Sequence, residues 1–181
     1  MKIIHIERLI DEGNISSTSD WRQVEQDIRR AIATVEWPPN SGSFTLYPGK
    51  HENGVVPIKN ACMLHLGSQQ WMQEYVLSAI GVGKIDAALR TSTGLFGFEW
   101  ETGNISSSHR AINKMALALL KKAMIGGVLV LPSRNMYNYL TDRIGNFSEL
   151  QPYFPLWKSL NKSISAGILE IVAIEHDAVS T

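Results

Sequence analysis

Between Trp21 and Val35 apolar residues recur three and four positions apart, at Trp21, Val24, Ile28, Ile32 and Val35. That spacing predicts an amphipathic helix with one buried stripe, capped by Ser19 and ended by Pro38-Pro39. Phe44 to Tyr47 reads as a short strand running into the Pro48-Gly49 turn. Pro57 then opens a second helix that stops near Gly67, and Ser68 starts a third that ends at Gly81.

The period changes to two at Leu95–Glu101, where Phe96, Phe98 and Trp100 alternate with Gly97, Glu99 and Glu101. This is the pattern of a half-buried strand, and it puts both glutamates on one face. Ser106 to Ser108 precede a long helix with Ile112, Met115, Ala116 and Leu119 on one side. Val128–Leu131 is a buried strand. Ser133 caps a helix expected to run through Tyr137, Leu140 and Ile144, and Gly167–Ile174 is a last apolar strand. Helices interleaved with buried strands indicate an α/β layered fold. With 181 residues and no boundary, repeat or low-complexity tract, we expect a single domain over 1–181.

Composition removes several classes of function. The apolar run from Met115 to Leu131 is broken by Lys121, Lys122 and two glycines, so no membrane span or secretory signal is expected. A lone Cys62 excludes an internal disulfide framework, reads as a core residue, and fits a reducing cytoplasm. The five histidines show no ligand spacing. Seventeen basic and seventeen acidic side chains cancel, which weighs mildly against a nucleic-acid binder. Clustered carboxylates for a metal ion would, however, offset a basic face elsewhere.

Such a cluster is available. Glu99 and Glu101 stand about 7 Å apart along one strand face, and Asp86 lies upstream. Oxygen ligands of this kind suit Mg2+, and a carboxylate left partly free by the ion can take a proton from water. Taken by spacing alone, Glu-x-Glu is more often the solvated face of a sheet. An acid–base pair for sugar cleavage is a further use, although nothing else in the chain specifies a sugar cleft.

The run Glu99-Trp100-Glu101-Thr102-Gly103-Asn104-Ile105-Ser106-Ser107-Ser108-His109-Arg110, followed by Asn113-Lys114, resembles the heart of the BamHI-type type II restriction endonucleases. The resemblance continues through Tyr139-Leu140-Thr141-Asp142-Arg143, Asn146-Phe147 and Glu149 to Phe154, and appears upstream as Asn53 to Lys59. It implies a restriction-endonuclease-like core of the PD-(D/E)XK superfamily, a central mixed β-sheet flanked by helices on both sides. It also implies a homodimer that cuts both strands of double-stranded DNA at a palindrome, GGATCC-like, leaving 5′-phosphates. A cognate methyltransferase is expected in the host.

Carried over by position, the resemblance makes Asp86 and Glu99 metal-binding carboxylates. It counts Glu101 with them as a metal residue and makes it the general base in place of the superfamily's lysine, with Glu74 in support. Base reading falls on Asn104, Ser106, Arg110, Asp142 and Arg143, with Lys59 as a further DNA contact. Their chemistry agrees: Arg143 can fork onto guanine, Asp142 can accept from cytosine N4, and Asn104 offers both donor and acceptor. Without the resemblance, Asp142-Arg143 is a solvated ion pair, the serines are caps and Asn104 a turn residue. The alternative function is a sequence-specific DNA binder that no longer cuts.

Overall fold

The computed structural model describes residues 1–49, 53, 56–140 and 144–180, and the side chains of 56 and 57 are left aside. In chain order its elements are β1 (Lys2–Glu12), α1 (Ser19–Ala33), β2 (Thr45–Leu46), α2 (Val56–Ser68), β3 (Met72–Val76), β4 (Lys84–Arg90) and β5 (Leu95–Trp100). There follow α3 (Ile105–Leu120), β6 (Gly126–Pro132), α4 (Arg134–Tyr137), α5 (Phe147–Leu150), α6 (Phe154–Lys158), β7 (Gly167–Glu175) and β8 (Ala178–Val179).

Six strands form one sheet in the order β1-β7-β6-β5-β4-β3. Its centre, β5-β6-β7, is parallel, while β1 at one edge and the β4-β3 pair at the other run antiparallel to their neighbours. The sheet is therefore mixed, and it is covered on both faces as expected. On one face Trp21, Val24 and Ile28 of α1 and Ile58, Cys62 and Leu66 of α2 pack on Phe96, Phe98, Val128 and Val172. On the other, Ile112, Met115 and Leu119 of α3 pack with Leu129, Leu169, Ile171 and Trp157. Every residue of β6 and β7 is buried, as a parallel centre under two helical layers requires. Gly126 and Gly127 begin β6 because a side chain there has no room: a Cβ would come within 2.4 Å of the Phe96 ring and 2.8 Å of Met115 Sδ.

Three predicted elements are corrected. The helix expected over Ser68–Gly81 is instead β3 with a turn on either side. This edge strand buries little of its length, and Glu74 has φ +50°, so no alternation survives to mark it. The helix from Ser133 ends at Tyr137, since the chain leaves it to form a bridge between Leu140 and Asn53. α1 is capped by Thr18, whose hydroxyl accepts from Trp21 N at 3.1 Å, rather than by Ser19. β1 was not anticipated. Register shifts between Ile3 and His5 and between Arg8 and Ile10 scramble its in-out pattern. Among the described residues no helix is long and apolar enough to cross a membrane.

Candidate active site

The β4–β5 ladder runs from Arg90↔Leu95 to Ala87↔Phe98 and then stops. Continuing its register would set Asp86 opposite Glu99 and Lys84 opposite Glu101, and here the strands part. Trp100 N–H, left without a strand partner on this side, donates to Asp86 Oδ2 at 2.8 Å, so a side-chain oxygen takes the place of the next rung. On the other side β5 still follows β6, with Glu101 N–H donating to Val130 O at 3.1 Å. Glu101 Oε1 accepts in turn from Gly103 N–H at 2.7 Å in the turn before α3. One oxygen each of Asp86 and Glu101 is thus fixed by the main chain.

The parting strands open a cavity of about 250 Å³ whose walls include Asp86, Glu99, Glu101, Lys59, Arg110 and Lys114. Helices from opposite faces of the sheet each send a lysine into it. Lys59 of α2 stands 2.6 Å from Asp86 Oδ1, and Lys114 of α3 stands 2.5 Å from Glu99 Oε1. The second contact is one of charge: that oxygen is buried and lacks a hydrogen-bond partner of good angle. Burial, with the negative charge of Asp86 next and Glu101 last, pushes the Glu99 carboxyl up to about 7 against the opposing pull of Lys114.

Asp86, Glu99 and Glu101 therefore face one cleft. As placed, no three acidic, histidine or cysteine side chains among the described residues form a cage around an ion by themselves. The donor chemistry fits a hard divalent cation all the same. Two carboxylates with crowded negative charge and a poorly satisfied buried oxygen leave the remaining positions to water and substrate, which is how Mg2+ is usually held.

Glu74 borders the cleft from β3, with its side chain 66% exposed and Lys84 at 3.7 Å. At the rim, Asn104 caps α3, accepting from Ser107 N–H at 3.2 Å. Ser106, two residues on in the first turn, is exposed, and Arg110 is exposed with Nη2 3.4 Å from Ser107 Oγ. Asp142 and Arg143 lie outside the described residues. Reasoning from the sequence passed over Lys114 as a site residue. Its signal was present, since Ser107, Arg110 and Lys114 lie three and four apart and so share one face of α3.

Similarity to known proteins extends along the whole chain. The family model described as restriction endonuclease BamHI matches residues 1–181. The type II restriction enzyme OkrAI of Oceanobacter kriegii is 48% identical over 182 aligned positions, covering 99% of this chain and 91% of that protein. The type II restriction enzyme BamHI of Bacillus amyloliquefaciens is 36% identical, covering 75% of this chain and 68% of its own. Among solved structures, restriction endonuclease BglII complexed with a DNA 16-mer aligns with a TM-score of 0.70 at 12% identity, over 100% of this chain and 84% of that one, a likeness of fold. The chain thus belongs to the BamHI family of restriction endonucleases, and is an enzyme of the type II site-specific deoxyribonuclease class.

Proposed function

We propose that the protein cuts both strands of a palindromic DNA duplex, GGATCC-like in sequence, with Mg2+ as cofactor and 5′-phosphate ends as product. The observation that carries this reading is the parting of β4 and β5, where Asp86, Glu99 and Glu101 line one cavity under the N-terminal turns of α3.

Asp86 and Glu99 would hold the ion, which when bound supplies Lewis-acid polarisation of the scissile phosphoryl group. Glu101, anchored through Oε1, keeps its second oxygen to orient the attacking water and take its proton. The bond formed joins the water oxygen to phosphorus, and the bond broken is that to the 3′ oxygen, so the phosphate stays on the 5′ side. Lys59 lies on the cavity wall, where it can meet a backbone phosphate. Glu74 adds negative charge at the edge.

Base reading belongs to Asn104, Ser106 and Arg110 at the start of α3, and to Asp142 and Arg143 through cytosine N4 and the guanine fork. A twofold pair of copies presents this surface twice, which is why the target is palindromic and the working unit a homodimer. Residues 1–181 act as one domain, in the cytoplasm, beside a methyltransferase that protects host sites.

The test is digestion of a plasmid holding one GGATCC site in the presence of Mg2+, followed by sequencing of the ends. Cutting within the site with 5′-phosphates is expected, and intact plasmid with folded protein would reject the specificity. Glu101→Ala should still shift a GGATCC duplex in a gel while failing to cut it.

A further inference from the structure

Lys114 reaches out of α3 to both strands that carry the acidic groups. Its ammonium is 2.5 Å from Glu99 Oε1 on β5 and donates to the main-chain carbonyl of Lys84 on β4. The side chain is only 14% exposed, so water screens this charge poorly. An ammonium is a compact point charge on a flexible stem, unlike the flat fork of arginine, and leaves a carboxylate without dismantling a paired geometry. Mg2+ sits about 2.1 Å from its oxygen ligands. An ion bound through Glu99 Oε1 would therefore occupy almost the space the ammonium now fills, and two cations cannot share it.

We propose that Lys114 is the resident counter-ion of Glu99, and that a divalent cation enters the cleft by exchange with it. The ammonium holds the buried carboxylate while the protein is without metal. It leaves Oε1 when the ion arrives, and turns within the same cavity toward the negative charge of a bound phosphodiester. This rests on reading the cleft as a divalent-ion site. It assigns Lys114 a positioning role that a lysine merely stitching α3 to the sheet would not have.

The experiment uses the whole chain without DNA. Wild type and Lys114→Met are melted with and without Mn2+, and Mn2+ is titrated by electron paramagnetic resonance. Removing the competing cation should tighten Mn2+ binding about tenfold and make the Mn2+-induced rise in Tm larger than in wild type. The metal-free variant melts lower. Glu99→Gln added to Lys114→Met should abolish the gain in affinity. Should Lys114→Met fold poorly, Lys114→Gln keeps a donor for the Lys84 carbonyl and is read the same way. Equal losses of Tm with and without Mn2+, together with unchanged affinity, would overturn the exchange and leave a stitch. Wild-type protein that binds no Mn2+ at all would overturn the ion site proposed above, and this inference with it.

Discussion

Glu99 on β5 and Glu170 on β7 are buried in the same sheet, 6% and 2% exposed, and each meets a cation. Around Glu170 the arrangement is closed. Arg8, its register partner on β1, reaches one carboxylate oxygen with Nε at 2.8 Å and Nη2 at 2.7 Å, and the adjoining void is only about 10 Å³. Around Glu99 it is open: two further carboxylates line a cavity of about 250 Å³, and the partner is a single ammonium. Both carboxyls are pushed up by burial. At Glu170 the influence next after burial is Arg8, which opposes it, with Glu25 a lesser push upward. At Glu99 the influence next after burial is the charge of Asp86, which adds to it, ahead of the opposing Lys114 and the lesser push of Glu101. A buried acid with its own guanidinium and no room is framework. One crowded by its own kind, beside an exchangeable cation, is a site awaiting charge.

Glu99→Gln breaks this contrast most strongly. Cleavage should fall by about three orders of magnitude, the scale of losing a main electrostatic group, while urea unfolding without metal shifts by less than ~1 kcal/mol. Glu170→Gln should leave the rate per folded molecule unchanged and cost about 1 kcal/mol in urea unfolding, since burial already disfavours the carboxylate and the amide oxygen still accepts from Arg8. The figure stays below that for a fully buried pair because Arg8 is 40% exposed and can turn to water. Arg8→Lys keeps the charge and loses the fork, and should cost about 1 kcal/mol in the same measurement.

Asp177 sharpens the scale from outside the sheet. It accepts from the Met1 ammonium at 2.7 Å and from Phe44 N–H at 2.7 Å. Burial works to raise its carboxyl, but these two bonds and the ammonium charge hold it below the usual aspartate range. A depressed acid stabilises the fold above its ordinary pKa and loses that contribution as pH falls through the folded value. Asp177→Asn should therefore cost about 1 kcal/mol near pH 6 and almost nothing near pH 2, as read by urea titrations at the two pH values.

Where packing alone set the pattern, the sequence was readable. α1, α3 and the strands β6 and β7 bury continuous stripes or runs, so period and burial agree. β5, expected half-buried from its period of two, is instead buried along its whole length, Glu99 included, because helices cover both faces of the sheet. Reading failed at the sheet's edges. β1 carries two register shifts, and β3 exposes most of its side chains, so neither leaves a clean alternation. The same holds within the site. Glu99 and Glu101 stood out from an alternating strand, whereas Asp86 could be named only as a carboxylate upstream, because no pattern disclosed β4, and its metal-binding role came from the resemblance. Lys114 was passed over although it shares a face of α3 with Arg110, because a helical lysine looks solvated until tertiary packing turns it onto Glu99.

The Asp86 oxygen that stands in for a missing rung binds chemistry to architecture. If a descendant of this chain ceased to cut DNA, it would still need an acceptor at that point, because Trp100 would otherwise carry a stranded amide in the interior. Decay would erase Lys114 and the half-exposed Glu101 long before Asp86, so an acid surviving there is weak testimony that a relative remains active.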